Sequence, residues 1–217
     1  DLGLSTGNIV TLDGRPSLDV EDPEGQRLRL VAAPQPVGES WAKSPVPAQH
    51  QIRGLGPITI SVPDLAPTEA VLTQVMNMRR IRDYASPDGE GSVHVFQMGD
   101  GGAAAELHVA VQPGLPVAQQ GAGGVHHVAF RVPGKPELSE WAKRLQEFRV
   151  PNSGEVERYY FRSLYFREPA GNLFEIATDD PGFDVDEPRE TMGEGLSLPP
   201  FLEGKRARIE AGLKPLD

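Results

Sequence analysis

At 217 residues, with 38% hydrophobic and 24% charged side chains, the chain can bury a real core and has room for one large or two small domains. A net charge of −10 and the lack of any dense Lys/Arg run argue against nucleic acid or an anionic membrane as partner, and a small organic substrate fits better. With no cysteine, disulfides and thiolate metal sites are excluded; with no apolar run near the roughly 20 residues of a membrane span and no signal-peptide pattern, the cytoplasm is the expected location.

In chain order, residues 1–33 read as closing strands without an opening strand and helix. Proline and glycine between 34 and 50, as in Pro34-Gln-Pro-Val-Gly and Ser44-Pro-Val-Pro47, mark a linker. A first full unit spans 51–115: a strand near Gly54–Pro63, a helix at about Pro67–Met76 with Ala70, Val71, Leu72 and Val75 available to pack, then strands near 80–84, 93–98 and 105–111. Gly99-Asp-Gly-Gly102 reads as a hairpin turn, and Gly121-Ala-Gly-Gly124 as a flexible lead into the next strand. A second unit spans 122–180, with a strand at Val125–Val132 and a helix at about Pro136–Phe148 carrying Leu138, Trp141, Leu145 and Phe148 at helical spacing. Residues 181–217 form a polar tail ending in a short helix near Lys205–Leu213.

The chain repeats itself. Gly54-Leu-Gly-Pro57-Ile-Thr-Ile-Ser-Val-Pro63 aligns with Gly124-Val-His-His127-Val-Ala-Phe-Arg-Val-Pro133 at an offset of 70 residues, so each unit reads βαβββ. A third trace links Leu18-Asp-Val-Glu-Asp-Pro-Glu-Gly-Gln-Arg-Leu-Arg29-Leu-Val31 to Leu164-Tyr-Phe-Arg-Glu-Pro-Ala-Gly-Asn-Leu-Phe-Glu175-Ile-Ala177, the closing hairpin of the last unit. The expectation is a fragment of a longer protein, or a chain whose first module another polypeptide completes.

The residues most able to carry chemistry are His127 and Glu175, an imidazole and a carboxylate of the kind found in 2-His-1-carboxylate iron sites. Alternation in Val125–Val132 sets Val128, Phe130 and Val132 on one face and His127, Ala129 and Arg131 on the other, so His127 points away from the core. In the last strand Phe174 and Ile176 share a face, and Glu175 projects opposite them beside the small Ala177. A surface histidine and a surface carboxylate are the bland alternative. Pro57 and Arg29 stand at the matching positions of the other copies and bind no cation. In the middle unit Glu106-Leu-His108-Val sets His108 opposite Leu107 and Val109, at the position of Glu175, which makes it an alternative ligand. His94 and His50 read as structural or solvated, and Asp179-Asp180 before Pro-Gly as turn chemistry.

The repeated modules resemble the vicinal oxygen chelate superfamily of glyoxalase I, bleomycin-resistance proteins and extradiol dioxygenases. More narrowly, His-His-Val-Ala-Phe-Arg-Val, the run Arg158-Tyr-Tyr-Phe-Arg-Ser-Leu-Tyr165 through Glu175, and Pro181-Gly-Phe-Asp-Val-Asp-Glu-Pro resemble hydroquinone ring-cleaving dioxygenases over nearly the whole chain. The resemblance implies an α+β fold of βαβββ modules with strongly curved mixed sheets. It implies Fe(II), O2 and a small aromatic substrate of hydroquinone or catechol type, with His127 and Glu175 as ligands and the third ligand in a module outside this chain. It assigns supporting roles to His126, Arg158 and Tyr165. By alternation His126 faces the Val128 and Phe130 side, which equally suits a satisfied core histidine; Arg158 could instead pair with Glu155 or Glu157, and Tyr165 could cap a sheet edge. Other functions on this fold are a glyoxalase-like lyase or isomerase using Zn, Ni or Mn, or a metal-free module that binds aromatic ligands. Because such modules pair, a half-module predicts a homo-oligomer or a companion N-terminal chain.

Overall fold

Alternating β-branched and polar residues punctuated by glycine turns produce three four-stranded sheets in the computed structural model, which describes residues 5–33, 38–87, 89, 91–116, 120–121 and 123–214. The first sheet holds β1 (Ser5–Thr6), β2 (Val10–Leu12), β3 (Arg15–Glu21) and β4 (Arg27–Val31), with β1, β2 and β4 each antiparallel to β3. The second holds β5 (Ile58–Val62), β6 (Arg79–Ala85), β7 (Ser92–Gln97) and β8 (Glu106–Val111) in the order β5-β8-β7-β6. The third holds β9 (Val128–Val132), β10 (Asn152–Glu157), β11 (Arg162–Arg167) and β12 (Leu173–Thr178) in the equivalent order β9-β12-β11-β10. Helix α1 (Leu65–Ala70), continued by a π-helical turn at Val71–Val75, follows β5, and α2 (Lys135–Glu147) follows β9. The architecture is therefore α+β, with the βαβββ module present twice. Short helices α3 (Pro200–Glu203) and α4 (Arg206–Gly212) fall near the expected C-terminal helix. Part of the expected linker, 34–37, and Ala122 of the glycine-rich lead lie outside the described residues.

By packing the chain divides into two units, Asp1–Val128 with Arg167–Phe174, and Ala129–Phe166 with Glu175–Asp217. In the first, Ile60 and Val62 of β5 turn inward while Thr59 and Ser61 turn out, as a half-buried strand requires. They share the buried core with Leu72 and Val75 of the helical segment and Val93, Val95, Phe96, Leu107 and Val109 of the sheet, all 5% exposed or less. Asp64 starts α1 by accepting the Ala66 backbone N–H at 3.1 Å. In the second unit, Leu138 and Leu145 are fully buried, with Phe130, Val132, Leu164, Phe166 and Ile176 also in the core. Phe148, expected on the packed face of α2, is instead 44% exposed, with the Arg144 guanidinium 5.1 Å from its ring centre. It sits at the C-cap, where the helix ends and Arg149 turns to a φ of +57°, so the helical stripe no longer points inward.

The third trace of the repeat is visible in hydrogen bonds. In Asp22-Pro-Glu-Gly25-Gln26, the Asp22 N–H donates to Gln26 O, the Gly25 N–H to Asp22 O, and the N–H groups of Glu24 and Gln26 to Asp22 Oδ1. In Glu168-Pro-Ala-Gly171-Asn172 the same four roles recur, with the N–H groups of Ala170 and Asn172 donating to the Glu168 carboxylate. An acidic residue that captures the turn's own amides and a glycine at positive φ (+86° at Gly25, +96° at Gly171) therefore make both hairpins. Glu168, 2% exposed, is further satisfied by the Thr68 hydroxyl at 2.7 Å and Asn172 Nδ2 at 2.8 Å, which makes it a turn-building carboxylate.

Candidate active site

Glu175 lies in β12, an interior strand between β11 and β9. It sits opposite Phe174 and Ile176 in the alternation, yet it is 3% exposed rather than surface-facing, because the interior strand is covered on both faces at this point. The fully buried Ser163 of the neighbouring β11 donates its hydroxyl hydrogen to Glu175 Oε1. One carboxylate oxygen is thus oriented by a hydroxyl donor.

In the same unit Arg158 follows β10 and Tyr165 lies in β11. The guanidinium of Arg158 rests 5.3 Å from the Tyr165 ring centre, a cation–π contact, while Glu157 takes Arg162 as ion-pair partner at 3.1 Å. Tyr165 has an inner position in its sheet, its N–H donating to Ser153 Oγ at 2.9 Å. Asp179 and Asp180 are engaged by Arg131 at 2.7 Å and Arg162 at 3.5 Å, as turn and ion-pair residues.

His126 and His127 belong to the first unit and precede β9 rather than lying within it, since strand pairing begins at Val128. The two-residue alternation does not reach back through the lead containing Gly123 at φ +76°, so His126 is exposed instead of turned toward Phe130. The Nδ1 atoms of the two rings lie 2.9 Å apart, with the ring planes perpendicular at 90°. When His127 Nδ1–H donates to His126 Nδ1, the lone pair of His127 is held at Nε2, the tautomer a metal ligand needs. Gln120 Nε2 donates to the His126 carbonyl at 3.1 Å and steadies the lead.

Sequence reasoning did not anticipate a second convergence in the first unit, where ligand atoms of Asp13, Glu106 and His108 all lie within 4.8 Å of one another. Alternation contained its signal, because Glu106 and His108 are two apart on β8 and share a face. Arg82 binds both Asp13 and Glu106, and Arg15 binds Glu106 through Nη2 at 3.0 Å, with Nη1 equally close as an ion pair. His108, 4% exposed, sets Nε2 3.2 Å from Glu106 Oε2 and Nδ1 3.0 Å from the Tyr84 hydroxyl. Burial would raise the Glu106 carboxyl, but hydrogen bonds from Arg82, Arg15 and His108 overcome it and lower it to about 2. The Arg82 hydrogen bonds likewise lower Asp13 against its burial. Burial lowers His108, opposed by Glu106, so its imidazole is neutral near pH 7. Two guanidinium charges balance two carboxylates here, and a dication entering the cluster would meet Arg15 and Arg82. His94 pairs with Asp83 at 3.0 Å, and His50 is exposed in a short turn.

The sequence profile described as Glyoxalase/Bleomycin resistance protein/Dioxygenase superfamily matches residues 54–176. MhqA of Bacillus subtilis strain 168, provisionally named a ring-cleaving dioxygenase, is 45% identical over 205 residues, covering 94% of this chain and 65% of its own length. The chlorohydroquinone/hydroquinone 1,2-dioxygenase of Sphingobium indicum is 30% identical over 182 residues, covering 79% of this chain and 52% of its own. A crystal structure of a provisionally named dioxygenase from Bacillus subtilis superposes with a TM-score of 0.85 at 29% identity, covering 99% of this chain and 66% of that one. The chain thus spans about two thirds of the length of MhqA and about half that of the Sphingobium enzyme. Among the described residues, no helix is long and apolar enough to cross a membrane.

Proposed function

The chain belongs to the glyoxalase/bleomycin resistance protein/dioxygenase superfamily, and on that premise we propose that it is the Fe(II)-binding portion of a dioxygenase that cleaves hydroquinone-type or catechol-type rings. The observation that carries this reading is Glu175, a carboxylate 3% exposed and oriented by the Ser163 hydroxyl. A buried carboxylate aimed by a hydrogen bond is a group held in place for a metal to meet. The relatives named as ring-cleaving dioxygenases give the reading its chemistry.

The donor set fits the metal: His127 offers an imidazole nitrogen and Glu175 a carboxylate oxygen, two of the three ligands in a 2-His-1-carboxylate centre. Bound there, Fe(II) would supply the redox chemistry that allows O2 to react with an aromatic ring. The chain's own residues do the rest. His126 holds the His127 tautomer through Nδ1. Arg158 keeps a permanent positive charge against the Tyr165 ring and favours the ionised form of a phenolic substrate. Tyr165 offers a hydroxyl hydrogen bond to a substrate oxygen as charge develops on it. The third ligand comes from outside these residues, with His108 as the alternative within them.

Anaerobic loading with Fe(II), desalting and elemental analysis test the reading. Iron binding by the 217-residue chain that is lost in His127→Ala and in Glu175→Ala is the expected result, with oxygen uptake on adding hydroquinone wherever the third ligand is supplied. Iron held equally well by those two variants would sink the assignment.

A further inference from the structure

We infer that Ser163 is a positioning residue for the metal-ligating carboxylate: its buried hydroxyl fixes Glu175 in its ligating orientation. The inference rests on the reading of Glu175 as a ligand. Ser163 is fully buried and Glu175 is 3% exposed, on neighbouring strands β11 and β12. A serine hydroxyl has a single hydrogen to give, and here it goes to Glu175 Oε1. The direction of that bond matters. The hydroxyl donates and the carboxylate oxygen accepts, which limits rotation of the carboxylate plane. That restriction favours coordination, since a ligand must be aimed before the metal arrives.

Neighbouring residues in β11 argue that this is not simply a polar residue filling a core position. Leu164 and Phe166 take the apolar side of the strand, while Ser163 and Tyr165 share the other side, two residues apart. Tyr165 carries the Arg158 guanidinium against its ring. One strand face therefore presents both the donor to the ligand and the phenol proposed for the substrate. A serine at the buried end of that face is small enough to bring its oxygen against the carboxylate without pushing the strands apart.

Mn(II) binding to the full chain, followed by electron paramagnetic resonance, provides the test, with the visible spectrum of the Co(II) form as a second readout that fold stability alone does not move. Loss of a hydrogen-bonded partner of a metal ligand weakens affinity by ~10- to 100-fold, and that is the expected loss for Ser163→Ala. The matched pair Ser163→Thr and Ser163→Val isolates the hydroxyl at constant volume should the alanine variant fold poorly: the threonine variant binds Mn(II) near the parent value and the valine variant does not. Equal affinity in the threonine and valine variants, or a Ser163→Ala affinity within twofold of the parent with an unchanged Co(II) spectrum, overturns the inference and leaves Glu175 as a ligand. Parent-like affinity in Glu175→Ala overturns the underlying assignment instead.

Discussion

Two buried carboxylates, Glu106 in β8 and Glu175 in β12, close equivalent modules and are solved differently. Glu106 is surrounded by Arg82, Arg15 and His108, and each charge has an opposite charge against it. Glu175 accepts the Ser163 hydroxyl hydrogen. The same scaffold thus supports one site that two arginines close electrically and, on the reading proposed above, one whose carboxylate is aimed for a metal. The lesson is that burial and a carboxylate do not by themselves mark a metal site. The two guanidinium groups already facing Glu106 would repel an entering cation.

The strongest way to break this contrast is to exchange the consequences. Glu106→Ala leaves two arginines partly buried against Asp13 alone, and removing one partner from such a cluster costs ~3–5 kcal/mol. Chemical denaturation should show that loss, with Mn(II) affinity within twofold of the parent. Glu175→Ala should do the reverse, losing metal affinity by two orders of magnitude or more at a stability cost of ~1–3 kcal/mol for the unsatisfied Ser163 hydroxyl. If Glu106→Ala abolished metal binding without loss of stability, the arginine cluster would be the metal site and the contrast would be wrong.

Acid sharpens the same contrast. Glu106 has its carboxyl lowered to about 2 from an ordinary 4.5, so its contribution is fully present above 4.5 and is lost as pH falls toward 2. A shift of that size corresponds to on the order of 3 kcal/mol. His108 acts in the same direction: its pKa is lowered by burial, so the unfolded chain binds its proton first and stability falls as pH drops below about 6.5. Hydrogen exchange followed by mass spectrometry at descending pH should find β6 and β8 losing protection first, and Arg82→Met should flatten that pH dependence. Uniform loss of protection across both units would count against a local electrostatic cause.

A smaller effect belongs to His126. Its Nδ1 lies 2.9 Å from His127 Nδ1, and removing such an orienting partner costs about tenfold in metal affinity. His126→Ala should show that loss in a Mn(II) titration, and His126→Asn, whose side-chain oxygen can stand near the Nδ1 position, should recover much of it. An unchanged affinity in His126→Ala would leave this histidine a solvated neighbour.

Much of this was legible in the sequence. The repeat predicted two βαβββ modules, and their strands fall within a few residues of the expected bounds because alternation and glycine turns act locally. The proposal of His127 and Glu175 as ligands rests on residue type and motif. Misreadings arose where the two-residue period was carried beyond its physical limits. Alternation puts His126 in a strand that begins only at Val128, and turns Glu175 outward although both Phe174 and Glu175 of β12 are buried. The arginine cluster was harder to see, because Asp13 and Arg15 lie 69 and 91 residues from the partners they meet. No local pattern announces a contact of that range.

The smallest effect concerns which nitrogen of His108 carries its proton. Glu106 is ionised and can only accept, so the His108 nitrogen facing it at 3.2 Å, Nε2, is the protonated one. Nδ1 then carries a lone pair, and the Tyr84 hydroxyl 3.0 Å away must donate to it. That bond stabilises the neutral imidazole. Tyr84→Phe removes the donor and should cost ~0.5–1.5 kcal/mol, the range for one intramolecular hydrogen bond. It should also raise the His108 pKa, because the neutral form loses its support while Glu106 still favours the cation. Titration of the His108 ring signals by NMR reads both the tautomer and the shift. A Tyr84→Phe variant with the parent titration would mean that Nδ1 holds the proton and that Glu106 does not face a donor, and charge closure of the cluster would then rest on the two arginines alone.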